Sequence, residues 1–173
     1  TIPGDVKVCY FGNAGSKAND PARLKARAYT GKYDGIARRN AYHGGNASGM
    51  GLTAHATWKF NVPHSFGVHH AMTPDPFRGH WGRDDAEAGK KYAADVKSVI
   101  DYATPGRISV FITESIQDVG GAVVFPDRYL QNAYEHVRSA GVLCIADEVQ
   151  AAIGRAGRHF LVSQTKGVLP DIV

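Results

Sequence analysis

The stretch VLCIADEVQAAIGRAGRHF, residues 142–160, decides how the rest of the chain is read. Its first five residues, Val142, Leu143, Cys144, Ile145 and Ala146, make an apolar run of the length and character of a strand buried on both faces. The run ends abruptly in charge at Asp147 and Glu148. After Val149 and Gln150 a glycine-bearing segment, Gly154-Arg155-Ala156-Gly157, reads as loop. Ligands of an open parallel sheet sit beyond the carboxyl ends of its strands, so Asp147 stands where a ligand is held. A lone Asp at a strand end more commonly caps the next turn or helix. The choice between the two rests on its neighbours.

Upstream of this strand the pattern alternates. Residues 127–140 read as a helix entered at Pro126 and stopped by Gly141. Residues 108–113 read as a buried strand that also ends in a carboxylate, Glu114. Residues 87–102 form an amphipathic helix, with Tyr92, Val96, Val99 and Ile100 on one side and Lys90, Lys91, Asp95 and Lys97 largely elsewhere. Residues 34–40 are a weaker strand, residues 16–29 a helix with Pro21 in an early turn, and residues 7–11, KVCYF, another strand. Repeated strand, helix, strand order argues for an α/β fold with a mostly parallel sheet and flanking helices. Residues 50–81, rich in Gly, Pro, His and aromatics and without periodicity, read as a long loop of the functional or partner-covered kind. Residues 170–173 look like the opening of a further strand.

The 173 residues have the size of one domain, and 43% hydrophobic residues are enough for a core. No apolar run approaches the roughly 20 residues a membrane-spanning helix requires. The 20 Lys and Arg are interspersed with 16 Asp and Glu, so a formal charge of +4 forms no basic block, and nucleic-acid binding is not expected. Cys9 and Cys144 each lie in a strand-like run and read as small buried core residues. His64, His69, His70 and His80 show no i, i+4 pair with an acid, and no metal site is expected. With no initiator Met and a strand opening at its end, the chain reads as an internal piece of a larger protein, so missing targeting signals are uninformative.

Two more places carry chemistry. Gly12-Asn13-Ala14-Gly15-Ser16 turns a strand into a helix, and such a turn offers unpaired N–H groups and the positive end of the helix dipole, a ready phosphate site. Its spacing is neither that of a P-loop nor that of a dinucleotide-binding turn. An ordinary strand-to-helix turn is the plain alternative. Tyr42, His43 and Gly44 follow the residue 34–40 strand; an aromatic there is commonly core.

Taken together these motifs resemble the class III pyridoxal-phosphate-dependent aminotransferases. The resemblance rests on IADEVQ (145–150), GRAGRHF (154–160), GVLPDIV (167–173), Tyr42-His43-Gly44, Glu114-Ser115-Ile116-Gln117 and NAGSKAN (13–19), in family order along nearly the whole chain. Gly51-Leu52-Thr53, Trp58-Lys59-Phe60-Asn61-Val62 and Pro74-Asp75-Pro76-Phe77-Arg78-Gly79 resemble the alanine–glyoxylate type 2 branch. Ethanolamine-phosphate phospho-lyases share much of this motif set.

The resemblance implies the large domain of a fold-type I enzyme, residues 1–173 being part of it, with the N-terminal segment, the catalytic-Lys region and the small domain outside. It implies pyridoxal 5′-phosphate as cofactor, with phosphate at Gly15 and Ser16, Tyr42 and Val149 on opposite ring faces, His43 nearby, and Glu114 close to cofactor and substrate. Asp147 would keep the pyridine nitrogen protonated and Gln150 would reach the phenolic oxygen. The Schiff-base Lys is expected a few residues beyond Val173; Lys166 is not its equivalent. The implied activity is transfer of an amino group from L-alanine to glyoxylate in a mitochondrial dimer or larger homo-oligomer. The sequence departs from the family pattern at Ala14, Lys17, Ser115, Asp118 and Ala151-Ala152-Ile153, where Ser, Glu, Pro, Gly and Thr-Gly-Phe are usual. These departures keep a non-catalytic remnant open as an alternative.

Overall fold

The structure, a computed structural model, describes residue 2 and residues 4–173. Its centre is a four-stranded parallel sheet of β1 (Asp34–Arg38), β2 (Val68–Ala71), β3 (Ile108–Glu114) and β4 (Leu143–Asp147), in the spatial order β2-β1-β3-β4. Ile172 bridges Ile145 in parallel, and the Ala146 N–H donates to the Ile172 carbonyl at 2.9 Å, so the last residues begin a further strand beside β4.

Both faces of the sheet are covered, which is why its strands read as continuous apolar runs. Helix α1 (Gly15–Thr30) lies on one face, where Ala22 and Ala26 pack on Ala37, Val110, Ile112 and Ile145. Helices α3 (Ala88–Ser98) and α4 (Tyr129–Ser139) cover the other, where Tyr92, Val96, Tyr134 and Val137 pack on Ile36, Phe111 and Cys144. Two short helices, α2 (Gly49–Leu52) and α5 (Val162–Thr165), sit in the connections. A bulge adjusts the centre of the sheet. Asp34 pairs with Ile108 but Gly35 with Val110, so Ser109 is extra, and Ile108 faces the α3 and α4 side together with Phe111. The Ser109 hydroxyl donates to the Asp34 carbonyl at 2.7 Å and holds the bulge.

Local sequence accounts for the helix ends. α1 runs through Pro21 to Thr30 and stops at Gly31, whose φ of +64° is a left-handed cap that donates to the Arg27 carbonyl. α4 stops at Gly141, φ +66°. At Gly89 a Cβ would collide with the Asp127 carbonyl, so this glycine is what lets α3 lie against the entry of α4. Residues Val99–Ala103 prolong α3 as a wider π turn, so the helix expected over residues 87–102 has two parts.

Three sequence expectations are corrected. Residues 7–11 are not a strand. They run outside the sheet with Phe11 99% exposed, and Cys9 is exposed rather than buried. An apolar run reads alike whether it pairs in a sheet or covers a surface, and only tertiary context separates the two. The expected loop at residues 50–81 contains the edge strand β2, hidden because two of its four residues are His. His69 is engaged by Asp34 at 2.9 Å, and the His70 ring meets the Gly51 carbonyl at 3.0 Å. Separately, Asp118, which stands where the resemblance has Gly, is not at positive φ; that conformation falls on Gly121 and Ala122.

Candidate active site

Strands β1, β3 and β4 end on one edge, at Arg38, Glu114 and Asp147. Glu114 and Asp147 are register partners on adjacent strands. α1 starts at this edge and turns Asn19 toward it. The Asn19 amide donates to Asp147 Oδ2 at 2.8 Å and to the His43 carbonyl at 3.2 Å. His43 Nδ1 lies 2.8 Å from the same Oδ2, and the Val149 N–H donates to Oδ1 at 3.2 Å. Burial alone would raise the Asp147 carboxyl. The bond to His43, its charge, the Asn19 amide and the Val149 N–H outweigh burial and hold the group below the ordinary carboxylate range.

Asp147 is therefore an anion at neutral pH. An ionised carboxylate only accepts, so the proton between it and His43 sits on Nδ1. His43 Nε2 is then left buried with no partner among the described residues. The His43 backbone is fixed as well: its N–H donates to the Thr53 hydroxyl at 2.9 Å, which donates in turn to the Gly44 carbonyl.

Glu114 behaves oppositely. Burial raises its carboxyl, a shift that the His43 and Arg38 charges reduce and the Asp147 charge adds to. Its Oε1 accepts the Tyr42 N–H at 3.4 Å, while Oε2 has no partner among the described residues. Arg38, fully buried, donates to the Glu114 carbonyl at 2.7 Å and stacks 4.1 Å over Phe125.

Across the cleft, the N–H groups of Gly15 and Ser16 open α1, where helix geometry supplies no internal acceptor. Close packing explains both glycines here. A Cβ on Gly15 would come 2.7 Å from Val149 Cγ2, and one on Gly44, φ +117°, would fall onto the Ser16 side chain. Asn46 ties the two turns together through the Ser16 carbonyl at 3.1 Å.

The eight residues named from sequence, Gly15, Ser16, Tyr42, His43, Glu114, Asp147, Val149 and Gln150, all line one cleft together with Asn19, Gly44 and Val119. Its volume is about 400 Å³ including the open mouth. Tyr42 is half-buried, its ring 5.3 Å from that of Trp58. Val149 is 62% exposed. A wider opening beside it is lined by Asp147, Gln150 and Arg155.

Sequence reading missed two contributors. Asn19 gives a weak signal, a poor helix former kept one turn after Gly15. Glu148 gives none: its buried carboxylate accepts the Ser115 hydroxyl at 2.7 Å and the N–H groups of Val162 and Ser163 at 3.1 and 2.7 Å. It thereby pins both ends of the 149–161 loop to the exit of β3.

Comparison with known proteins places the chain in a family. A model of the aminotransferase class-III family matches residues 1–173. The chain belongs to the class-III aminotransferases. It is 48% identical over 172 residues to the mitochondrial alanine–glyoxylate aminotransferase 2 homolog 2 of Arabidopsis thaliana, covering 99% of this chain and 35% of that protein. It is 39% identical over 190 residues to the human mitochondrial alanine–glyoxylate aminotransferase 2, covering 99% and 37%. The chain thus spans about a third of the length of these curated relatives. Among solved structures it is similar to an amine transaminase from an uncultivated Pseudomonas species in the PLP-bound form, with a TM-score of 0.86, 30% identity, and coverage of 92% of this chain and 38% of that one. The omega transaminase of Pseudomonas jessenii in complex with PMP gives a TM-score of 0.85 at 30% identity, covering 92% and 37%.

Ser115 stands where the sequence resemblance leads Pro to be expected. The hydroxyl that replaces the ring is the one bound to Glu148, a contact proline cannot make. At the Ala151-Ala152-Ile153 departure, Ile153 is 81% exposed and held at φ +58°, a strained position for a β-branched residue.

Proposed function

We propose that the full-length protein is a pyridoxal-phosphate-dependent transaminase that takes its amino group from L-alanine or a similar donor and delivers it to glyoxylate. The observation that carries this reading is Asp147, a buried anion fixed by His43 and Asn19 in the same cleft as the N–H groups of Gly15 and Ser16. The residues present fit such a cofactor. Asp147 Oδ1 keeps acceptor capacity, and a carboxylate below its ordinary range favours a protonated heteroaromatic nitrogen beside it. The opening of α1 suits a phosphate dianion.

When bound, pyridoxal phosphate supplies the electron sink for the carbanion left by loss of the substrate's alpha proton. Within this reading Asp147 holds the ring-nitrogen proton, and His43 and Asn19 hold Asp147 in place. Gly15 and Ser16 would hold the phosphate, Tyr42 and Val149 would hold the ring, and Gln150 would hydrogen-bond to it. Glu114, whose Oε2 has no partner among the described residues, would lie close to cofactor and substrate. Residues 1–173 are read as part of the large cofactor-binding domain, with the reactive Lys supplied by the chain that follows.

The names of the relatives support alanine and glyoxylate as substrates and a mitochondrial location. No helix among the described residues is long and apolar enough to cross a membrane. A homo-oligomer is supported by the exposed apolar side chains of Trp58, Phe60, Phe66 and Phe77, all within residues 56–79 of the sequence.

The test is an assay of the full-length protein with L-alanine, glyoxylate and pyridoxal phosphate. Pyruvate and glycine are the expected products. Phosphate release from phosphoethanolamine would instead identify a phospho-lyase, and no turnover with no cofactor absorbance would mark a non-catalytic remnant.

A further inference from the structure

One helical turn beyond Asn19, α1 carries a second polar cluster that the cofactor cleft does not use. Arg23 is 2% exposed. Its Nη1 donates to the carbonyl and hydroxyl of Ser48 at 3.1 and 3.4 Å, and its Nε and Nη2 are buried with no acceptor among the described residues. Four residues on, the Arg27 guanidinium lies 3.7 Å over the Tyr33 ring, and its Nε donates to the Tyr33 carbonyl at 2.8 Å. Its Nη2 is buried and likewise without an acceptor. Both arginines line a cleft between α1 and the turn at Ala47 and Ser48, of about 800 Å³ including its open mouth.

No carboxylate among the described residues forms an ion pair with either guanidinium. Asp34, the nearest acid on β1, is engaged by His69, and Asp20 stands on the rim without pairing to either guanidinium. Burial lowers the Arg23 pKa to about 10, the Arg27 charge pushes it the same way, and the charges of Tyr33, Asp20 and Asp34 offset only part of this. Two like charges, with three guanidinium nitrogens that have no acceptor among the described residues, lack one thing, a negative acceptor. A guanidinium fork matches two oxygens of one oxyanion, and removing charged donors from water without an acceptor is among the costlier arrangements in a folded chain.

We propose that Arg23 and Arg27 form a binding site for an oxyanion, a carboxylate or phosphate group, seated between α1 and the Ala47-Ser48 turn. The oxyanion belongs either to a free small anion or to an acidic side chain elsewhere in the full-length protein or in a second copy of it. Ser48 and Ser65 add polar walls, and the Tyr33 ring supports the outer guanidinium.

The test uses full-length protein saturated with pyridoxal phosphate, so that added anion does not enter at the Gly15-Ser16 turn. Thermal stability is followed against inorganic phosphate and against succinate, with sodium chloride at matched ionic strength as control. For a free anion, Tm rises saturably by several degrees in the wild type, less in Arg23→Lys and not in Arg23→Met, which keeps side-chain length and helix propensity. For an acidic side chain, added anion does nothing, Arg23→Met lowers Tm, and a crystal structure of the full-length protein shows a carboxylate within hydrogen-bond distance of Arg23. The proposal is overturned if added anion has no effect and either Arg23→Met is as stable as the wild type or more so, or no carboxylate lies there. Should Arg23→Met fail to fold, Arg27→Gln at the cleft mouth is read in the same titration, with the same outcomes.

Discussion

Asp147 owes its charge to three donors rather than to exposure. Replacing Asn19 by Leu removes one of them and leaves a buried carboxylate oxygen short of a partner. The expected cost is about 1.5–3 kcal/mol in the denaturation free energy at pH 7. Because the Asp147 carboxyl is depressed in the fold, its stabilisation is present above the unfolded carboxylate pKa of about 4 and is lost as pH falls through the lower folded value. The Asn19→Leu deficit should therefore shrink below about pH 4; a deficit of constant size would show that Asp147 is not the group affected.

Glu114 carries the opposite sign. Its folded carboxyl is raised, so the fold is penalised once pH exceeds the unfolded value and the penalty grows until the folded value is passed. Glu114→Gln should raise Tm at pH 8 and leave it unchanged near pH 4, measured by thermal denaturation, whatever it does to turnover. The positions of both acids were legible in the sequence, because an apolar run that stops at a carboxylate marks a strand end. The opposite directions in which their carboxyls are shifted were not, since these depend on His43, Asn19 and Arg38 arriving from three other elements.

Among the elements, the 149–161 loop depends on Glu148. Glu148→Gln replaces one accepting oxygen by a donor amide facing the Val162 and Ser163 N–H groups, and should cost about 2–3 kcal/mol. Limited proteolysis should then cut first near Arg155 and Arg158, which are exposed in that loop. Unchanged cleavage kinetics would show that the loop is held by something else. Ser115→Pro, the substitution toward the family pattern, removes one bond to the same carboxylate and should weaken the loop by less. On the other face, Gly89→Ala drives a methyl into the Asp127 carbonyl and should destabilise by about 1–3 kcal/mol, read from the denaturant midpoint.

Elements with strong periodicity or clean punctuation, α3, α4, β3 and β4, could be drawn from sequence to within a few residues. β2 could not: a four-residue edge strand with two histidines has no apolar alternation to reveal it. Residues 7–11 misled for the converse reason, being apolar without a strand to pair with.

At the scale of the whole molecule, the described chain presents Phe11, Phe66 and Phe77 to its surroundings, with Phe66 84% exposed. In the full-length protein Phe66→Asp should shift sedimentation toward a smaller species without altering far-UV circular dichroism. An unchanged sedimentation coefficient would place this surface outside any subunit contact.

The parallel order of the sheet also bears on how the molecule reaches this shape. No two adjacent strands are joined by a hairpin, so every ladder must wait for the closure of a long stretch of chain. The β3–β4 and β1–β2 ladders pair residues at the same separation along the chain (Val110 with Leu143, Gly35 with Val68), but only the former is spanned by a long helix, α4, whereas β1 meets β3 only after β2 and α3 have been laid down. Assembly is accordingly expected to begin in residues 108–147, with mutations at Phe111 or Val137 slowing refolding and mutations at Ala26 or Leu52 chiefly hastening unfolding. The half of the protein that forms first would then be the half that presents the two acids, and the glycine-opened end of α1 would dock on it afterwards.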